Sequence, residues 1–205
     1  MATTVQAIIF DLGRVLVDVK FNRESLEFFG VRPEDRNMEQ ILTAAFNNPL
    51  FRAYNMGKIS TDDFYRAFIE EHQLQMDFET FKTKWCSVFA PVDGMESLFW
   101  QVKKRYPVGL LSDTDPLHWN YCLEHFPFLQ SIEKPTLSFE IGALKPEAVC
   151  YIKAAQNVGL PPERCLFIDD RPVNVQGAKA VGMQAIMFEG AGPLKEKLRQ
   201  MGISV

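Results

Sequence analysis

The sequence has no long apolar run and no excess of positive charge. No stretch of its 205 residues approaches the roughly 20 consecutive apolar residues that a membrane-spanning helix requires. Its 22 basic and 26 acidic residues give a net charge of −4, and they include no basic block. A membrane span is therefore excluded. A nucleic-acid-binding surface, which needs clustered positive charge to meet the phosphate backbone, is not expected.

Cysteine is scarce and scattered. The chain has four cysteines, and no two of them form a C-x-x-C pair; they are Cys86, Cys122, Cys150 and Cys165. This spacing favours reduced thiols over disulfide bonds or a zinc site. The first residues run directly into an apolar segment without a basic region or a cleavage site, so we expect a cytoplasmic protein.

Short apolar runs predict the strands of one sheet. The hydrophobic content of 47% is enough for the core of a globular domain with a smaller appendage. Four apolar runs are bounded by polar residues, glycine or proline, at residues 7–10, 108–111, 165–168 and 184–188. Because these runs are continuous and do not alternate with polar residues, they predict strands buried on both faces, as in a parallel sheet.

Helical periodicity fills the intervals between and after the later strands. The predicted helices are residues 95–105, 146–157, 173–181 and 193–201. Pro146 suits the first position of its helix, and Gly159 and Gly182 suit the ends of two helices. Strands that alternate with helices predict an α/β fold. We expect a doubly wound, mainly parallel, Rossmann-like sheet that binds its ligands beyond the carboxyl ends of the strands.

Residues 21–90 interrupt this alternation. They contain helical patterns and turn signals but no convincing strand, and Ser60 is placed to cap a helix. The segment is rich in phenylalanine, which predicts a small aromatic core of its own. We therefore assign residues 1–20 and 91–205 to an α/β core, and residues 21–90 to an inserted α-helical cap.

Polar side chains follow three of the predicted strands. They are Asp11 after the first strand, Ser112 and Asp113 after the second, and Asp169 and Asp170 after the third. Lys145 stands immediately before a predicted helix. Since the carboxyl ends of parallel strands meet at one edge of the sheet, we expect carboxylates, a hydroxyl and an ammonium to lie together there.

Crowded carboxylates need a cation. Two of them at 4 Å repel by about 4 kcal/mol at an effective dielectric constant of 20. Asp11, Asp170 and a backbone carbonyl offer the hard oxygen ligands that Mg²⁺ prefers. The metal and Lys145 would together offset the repulsion between a carboxylate nucleophile and a phosphate dianion, so Asp11 is the predicted nucleophile. Ser112 and nearby backbone N–H groups are placed to hold phosphoryl oxygens.

The order of these motifs resembles the haloacid dehalogenase superfamily, most of whose members are phosphatases. The matching segments are residues 10–15, 111–112, 145–146 and 167–170, together with Asn174. By that resemblance Asp11 forms an aspartyl-phosphate, while Asp11, the Gly13 carbonyl and Asp170 hold Mg²⁺. The resemblance also assigns phosphate binding to Ser112, Asp113 and Lys145, with Lys145 a catalytic residue as well. Asp169 and Asn174 would support the metal ligands without touching the metal.

Within the superfamily, the sequence is similar to bacterial sugar phosphatases of the alpha-glucose-1-phosphate type. The supporting strings include Val17-Asp18, residues 57–60, and residues 111–115 followed by Leu117-His118. The resemblance implies a magnesium-dependent phosphatase that acts on a small phosphorylated metabolite, with a sugar phosphate as the expected class. The sequence leaves the individual substrate and the oligomeric state open, because the cap loops choose the leaving group.

The sequence departs from the superfamily pattern close to the predicted nucleophile. Gly13 stands where most of these phosphatases carry an Asp that serves as general acid and then general base, a group typically worth about 10²–10⁴ in rate. Arg14 and Asp113 are also unusual. We hypothesise that they pair electrostatically, with a solvated Arg14 on the turn as the alternative. His118, just past the second strand, is a candidate proton donor, although a histidine near a helix start more often has a structural role.

Other functions remain open on these residues. A catalytically weak phosphate-binding or regulatory protein is motivated by the missing acid at Gly13. A 2-haloacid dehalogenase is a further alternative, but that chemistry needs no metal, and the acidic pair Asp169-Asp170 argues against it. A phosphomutase would depend on the missing acid/base and ranks below the phosphatase.

Overall fold

The computed structural model describes residues 5–21, 23–29 and 47–205. The strands are β1 (Ala7–Phe10), β2 (Val17–Val19), β3 (Phe89–Pro91), β4 (Val108–Ser112), β5 (Thr136–Leu137), β6 (Cys165–Asp169) and β7 (Gln184–Met187). Five of them form a sheet in the order β5-β4-β1-β6-β7, and every described pair in it is parallel. Strand β1 therefore lies at the centre, between β4 and β6.

Helices lie between and after the strands. They are α1 (Arg23–Phe28), α2 (Pro49–Asn55), α3 (Thr61–Glu71), α4 (Phe78–Cys86), α5 (Met95–Lys103), α6 (Pro116–His125), α7 (Ser138–Ile141), α8 (Ala148–Asn157), α9 (Pro172–Ala180) and α10 (Ala191–Gln200). None of the helices in this described part of the chain has both the length and the apolar character that a membrane crossing requires.

Both faces of the sheet are buried against helices. Ile8 and Phe10 of β1 belong to one hydrophobic cluster, which includes residues of α5 and α10. Ala7 and Ile9 belong to a second cluster, which includes residues of α8 and α9. Since neighbouring residues of a strand point to opposite faces, β1 needs an apolar side chain at every position. The prediction of a doubly wound α/β fold is confirmed.

The ends of the helices follow local signals only in part. Gly159 and Gly182 have φ angles of +75° and +92° directly after the caps of α8 and α9, as expected for helix-ending glycines. The prediction that Pro146 opens its helix is wrong. Helix α8 begins at Ala148, because Glu147 before it has extended dihedral angles, φ −61° and ψ 133°.

The cap helices, α1 to α4, lie between β2 and β3 in the chain. These two strands pair antiparallel, with Asp18 opposite Ala90, and form a two-stranded ribbon that the apolar pattern does not predict. The Ser60 hydroxyl accepts the Asp63 N–H at 3.1 Å, so the predicted cap of α3 is confirmed. Residues 22 and 30–46 of the predicted cap lie outside the described residues.

The cap helices share an aromatic cluster. Its buried members are Phe28, Tyr54, Phe64, Phe68, Phe81, Trp85 and Cys86 from these helices, together with Leu117 from α6. The Tyr54 and Phe64 rings stack with centroids 4.2 Å apart. The predicted aromatic core is therefore present, and a core helix completes it. All four cysteines of the protein are buried free thiols, as their spacing predicts.

Candidate active site

Asp11 lies directly after the central strand β1, at its carboxyl end. Its N–H donates to the Ile168 carbonyl of β6 at 2.9 Å, so the neighbouring strand fixes the backbone here. One carboxylate oxygen, Oδ1, accepts the N–H of Leu12 at 2.8 Å. The side chain is only 10% exposed. Asp11 is thus a buried carboxylate held at the edge of the sheet where the sequence predicts it.

Lys145 lies between two carboxylates. Its Nζ is 2.7 Å from Asp11 Oδ1 and 2.7 Å from Asp169 Oδ2, and its side chain is 2% exposed. The Lys145 N–H donates to Asp113 Oδ1 at 3.0 Å, which fixes the loop that carries it. The structure therefore brings Lys145, from a loop far along the chain, into direct contact with Asp11.

Asp169 is fully buried, and both of its oxygens are occupied. Oδ2 accepts from Lys145, and the Asn174 amide lies 3.0 Å from each oxygen. Oδ1 also accepts the Arg171 N–H at 2.8 Å. With these contacts, Asp169 orients Lys145 and the start of α9, and it has little capacity left for another ligand.

Arg14 pairs with Asp170, so the hypothesis that it pairs with Asp113 is wrong. Its Nη1 is 3.1 Å from Asp170 Oδ2, and its side chain is 50% exposed. Arg14 has a φ of +60° in the turn after β1. The Asp113 carboxylate instead accepts the Lys145 N–H. The contact between Arg14 and Asp170 is an ion pair without hydrogen-bond geometry. Asp170 Oδ2 is therefore buried without a hydrogen-bond partner among the described residues.

A divalent cation fits this carboxylate group. Asp11, Asp169 and Asp170 each place one oxygen within 4.8 Å of the others. A buried oxygen without a hydrogen bond is costly. Asp170 Oδ2 has no hydrogen bond among the described residues, and the charge paired with it is that of the half-exposed Arg14. An all-oxygen donor set suits Mg²⁺. Because Asp169 is already occupied, Asp11 and Asp170 are the side chains best placed to hold the metal.

Burial and charge act in opposite directions on the acids of the site. Burial raises the pKa of Asp11 well above its ordinary value, and the Lys145 ammonium opposes this rise. The pKa of Asp170 is also raised by burial, against the opposing effect of Arg14. Burial alone would lower the pKa of Lys145, but Asp11, Asp169 and Asp113 raise it above its usual range. Lys145 therefore stays an ammonium, and a bound cation would favour ionised Asp11 and Asp170.

The other predicted site residues lie at the same edge of the sheet. Ser112 is buried at the end of β4, next to β1 in the sheet. Gly13 lies in the turn after Asp11, where it forms an isolated bridge with Val17. An added Cβ at Gly13 would meet only Val19 Cγ2, at 3.5 Å. Gly13 therefore leaves room where the superfamily usually carries its general acid.

His118 does not join this group. Its Nδ1 is 2.8 Å from Asp115 Oδ2, and its Nε2 is 2.9 Å from the carbonyl oxygen of Trp85 in α4. Both ring nitrogens are thus engaged in contacts between α6 and the cap helices. These contacts support a structural role for His118 and not that of a proton donor.

The sequence patterns did not predict the pair of hydrogen bonds by which Ser138 holds Thr114, in the chain after β4. The Ser138 hydroxyl accepts the Thr114 N–H at 2.9 Å and donates to the Thr114 carbonyl at 3.0 Å. Nothing in the local sequence signals this pairing, because the two residues belong to different strand-helix connections. Asp115 had a recognisable signal, since an Asp before Pro116 is a typical helix N-cap, and its Oδ1 accepts the His118 N–H at 2.9 Å.

Comparison with known proteins identifies the family. The sequence model of the family of haloacid dehalogenase-like hydrolases matches residues 5–182, which are most of the chain. The protein is a haloacid dehalogenase-like hydrolase. The cluster of Asp11, Lys145 and Asp170 lies within the matched residues.

Two curated relatives of this hydrolase cover nearly all of the chain. Flavin mononucleotide hydrolase 1 of Arabidopsis thaliana is 27% identical over 200 residues, which are 97% of this chain and 78% of the relative. D-ribitol-5-phosphate phosphatase of Bacteroides thetaiotaomicron is 24% identical over 203 residues, which are 95% of this chain and 97% of the relative.

Solved structures share the fold of this hydrolase. A HAD-family enzyme from Bacteroides thetaiotaomicron superposes with a TM-score of 0.81 at 22% identity, covering 96% of this chain and 100% of that one. The wild-type form of that enzyme in complex with magnesium and inorganic phosphate gives a TM-score of 0.77 at 22% identity, over 91% of this chain and 96% of that one. These likenesses establish the α/β fold.

Proposed function

We propose that this hydrolase is a magnesium-dependent phosphatase that cleaves a small phosphomonoester, with a sugar or polyol phosphate as substrate. The observation that carries the proposal is the contact of the buried Lys145 ammonium with the Asp11 carboxylate at 2.7 Å, beside Asp170. The names of the two curated relatives, a flavin mononucleotide hydrolase and a ribitol phosphate phosphatase, support a phosphomonoester as the substrate.

Asp11 is the proposed nucleophile. As one of its oxygens forms a bond to phosphorus, the ester P–O bond breaks and the leaving oxygen takes up a proton from solvent, since Gly13 offers no acid. A water molecule then attacks the phosphorus atom and releases inorganic phosphate and free Asp11. Lys145 stays protonated throughout, and its charge lowers the cost of bringing a phosphate dianion to a carboxylate.

Asp11, Asp170 and the Gly13 carbonyl are the proposed ligands of Mg²⁺. When bound, the ion supplies positive charge that stabilises the phosphoryl oxygens and keeps the carboxylates ionised. Ser112 and the backbone around Asp113 are placed to bind the phosphate, since both follow β4 at the same edge of the sheet. Asp169 and Asn174 keep Lys145 in place through the contacts described above.

The absence of an acid at Gly13 favours substrates that need little help with proton transfer. An anomeric oxygen of a sugar is a better leaving group than an ordinary alcohol, so its departure depends less on a general acid. This argument supports sugar phosphates among the small esters. It also predicts a low rate for simple alkyl phosphates.

The test of the proposed function is a hydrolysis screen with sugar phosphates, polyol phosphates, nucleotides and small phospho-acids, with magnesium and with a chelator. We expect magnesium-dependent release of phosphate, and loss of turnover in Asp11→Asn. The exposed Asp93 provides the matched control, Asp93→Asn, which we expect to leave turnover unchanged. Full activity in Asp11→Asn, with its fold intact by circular dichroism, would refute the proposal.

A second candidate is a phosphate-binding protein with little turnover, which the vacant position at Gly13 favours. This function predicts magnesium-dependent binding of phosphate esters in calorimetry without release of phosphate from any of them. Chelator-resistant release of halide from a 2-haloacid would instead point to a dehalogenase.

A further inference from the structure

Trp85, Asp115 and His118 form a buried junction between the cap helices and the core, called the cap junction below. The Trp85 Nε1–H donates to Asp115 Oδ2 at 3.2 Å. The same oxygen is 2.8 Å from His118 Nδ1, and His118 Nε2 is 2.9 Å from the Trp85 carbonyl oxygen. The three residues therefore close a ring of contacts, with Trp85 bound through both its side chain and its backbone.

The rings of the cap junction are packed as well as bonded. The Trp85 and His118 rings stack with an interplanar angle of 4° and centroids 4.9 Å apart. Phe89, at the start of β3, meets His118 edge-on at 4.9 Å. Asp115 is 1% exposed, so its carboxylate depends on these partners in place of water. A buried acid held this way fixes the angle at which α4 meets α6.

Only two residues of chain, Asp113 and Thr114, separate the cap junction from Ser112 at the proposed phosphate-binding edge. Ser112 ends β4, and each residue after it is bound to a different element. Asp113 accepts the Lys145 N–H, Thr114 is clamped by Ser138, and Asp115 belongs to the cap junction. Any shift of Asp115 therefore acts on a short, fully anchored segment next to the proposed catalytic groups.

A second contact joins the cap helices to the same edge. Gly57, between α2 and α3, lies so close to α7 that an added Cβ would be 2.2 Å from the Phe139 carbonyl oxygen. Phe139 directly follows Ser138, the residue that clamps Thr114. Both contacts of the cap helices are thus made to elements that begin at the carboxyl ends of β4 and β5.

We propose that Trp85 and Asp115 are positioning residues, which fix the cap helices at the proposed catalytic edge and so determine how well the enzyme uses substrates whose leaving group reaches the cap. The inference rests on the proposed phosphatase function. The residues proposed to bind the phosphoryl group all belong to the core, so a loosened cap junction weakens the hold on a large leaving group without altering the chemistry at Asp11. The cap junction then controls selectivity among esters.

The experiment compares two substrates, acetyl phosphate, which has a small leaving group, and a hexose 1-phosphate, which has a large one that leaves through its anomeric oxygen. The variants are Trp85→Phe, which keeps an aromatic ring but removes the N–H donor, and Asp115→Asn, which replaces one acceptor oxygen by a donor. For each variant we expect kcat/KM to fall about ten-fold with the hexose 1-phosphate, mainly through KM, and less than about two-fold with acetyl phosphate. The kcat/KM of the double variant should fall no further than that of Asp115→Asn alone, because both changes break the hydrogen bond between Trp85 and Asp115.

The matched controls alter the same residue types elsewhere. Asp77→Asn changes the N-cap of α4, where Oδ1 accepts the Thr80 N–H at 2.8 Å, and Trp100→Phe changes an exposed tryptophan of α5. Both should keep the wild-type ratio of the two kcat/KM values. Equal losses on the two substrates, or no loss on either, would overturn the proposal.

Hydrogen exchange separates this proposal from the proposed function. If the wild type hydrolyses neither of these compounds nor any ester of the screen above, the phosphatase function fails, and amide exchange still reports on the cap junction. In Trp85→Phe and Asp115→Asn, the amides of α4 should exchange faster while those of α5 keep their wild-type rates. Unchanged exchange in α4 would show that Asp115 does not fix the cap helices.

Discussion

At the scale of single residues, the position that sets the limits of the chemistry is Gly13. It follows the proposed nucleophile Asp11 by two residues, and its φ is not in the left-handed region. The nearest neighbour of an added Cβ is Val19 Cγ2 at 3.5 Å, an ordinary van der Waals distance. The turn therefore accepts a side chain at this position, and nothing in its backbone requires glycine.

Gly13→Asp should supply the missing acid/base. For an alkyl phosphate, whose leaving group needs a proton, we expect kcat to rise about ten-fold to a hundred-fold. For acetyl phosphate, whose leaving group departs without a proton, the gain should be small. The measurement is steady-state hydrolysis of both compounds at saturating magnesium. An equal gain in kcat on both would argue against an acid/base role.

Arg14 and Asp113 show what residue patterns do not predict. Two unusual residues of opposite charge suggested a pair, but Arg14 meets Asp170 and Asp113 binds the Lys145 backbone. The partner of a long side chain on a turn depends on the turn's direction, which the sequence does not encode locally. Asp11, Lys145 and Asp169 were predictable as a group, because each is tied to the end of a strand or the start of a helix.

At the scale of elements, apolar runs located four strands of the central sheet and missed β2, β3 and β5. Strand β5 has only two residues, Thr136–Leu137, too few to give a pattern. Strands β2 and β3 depend on each other across the whole cap segment, so their pairing is a tertiary effect. The predicted cap boundaries near residues 20 and 91 fall beside this ribbon, and they remain a prediction.

Gly57 offers a test of how closely the cap helices approach the core. Gly57→Ala introduces a Cβ at a φ of +64° and 2.2 Å from the Phe139 oxygen, so both strain and a backbone clash oppose it. Gly159→Ala is the matched control, with a φ of +75° and nothing within 4 Å of the added Cβ. We expect the control to lose about 1 kcal/mol of unfolding free energy, and Gly57→Ala to lose at least about 1 kcal/mol more. Urea unfolding measures both, and equal losses would show that the close approach is absent.

At the scale of the whole molecule, the proposed catalytic edge concentrates acidic groups whose charge the fold alone does not fully neutralise. Burial raises the pKa values of Asp11, Asp113 and Asp170, so their ionised forms lower the stability of the metal-free protein. A raised pKa in the folded state means that stability is greatest at low pH and is lost as the pH rises through that pKa. Activity and stability therefore oppose each other at this edge.

Asp170→Asn should separate stability from metal binding at this edge. Without metal we expect the variant to be more stable than wild type at neutral pH by about 0.5–2 kcal/mol, with the difference vanishing as the pH falls below the ordinary pKa of an Asp. Magnesium at about a hundred times its Kd should stabilise wild type by about 2.7 kcal/mol and leave the variant nearly unchanged. Thermal unfolding across pH, with magnesium or a chelator, measures both effects. A variant less stable than wild type in the chelator would contradict this account of Asp170.

The aromatic cluster of the cap helices includes Leu117, a residue of the core helix α6. The borders of the cap in the chain are therefore not the borders of its hydrophobic interior. A chimera that grafts another cap onto this core between β2 and β3 would keep Leu117 and Tyr121 from the old partner and set them against foreign side chains. Exchange of caps between relatives would succeed only when this face of α6 is transplanted with them. Two separate stretches of sequence, the cap segment and α6, must therefore change together for one cap to replace another.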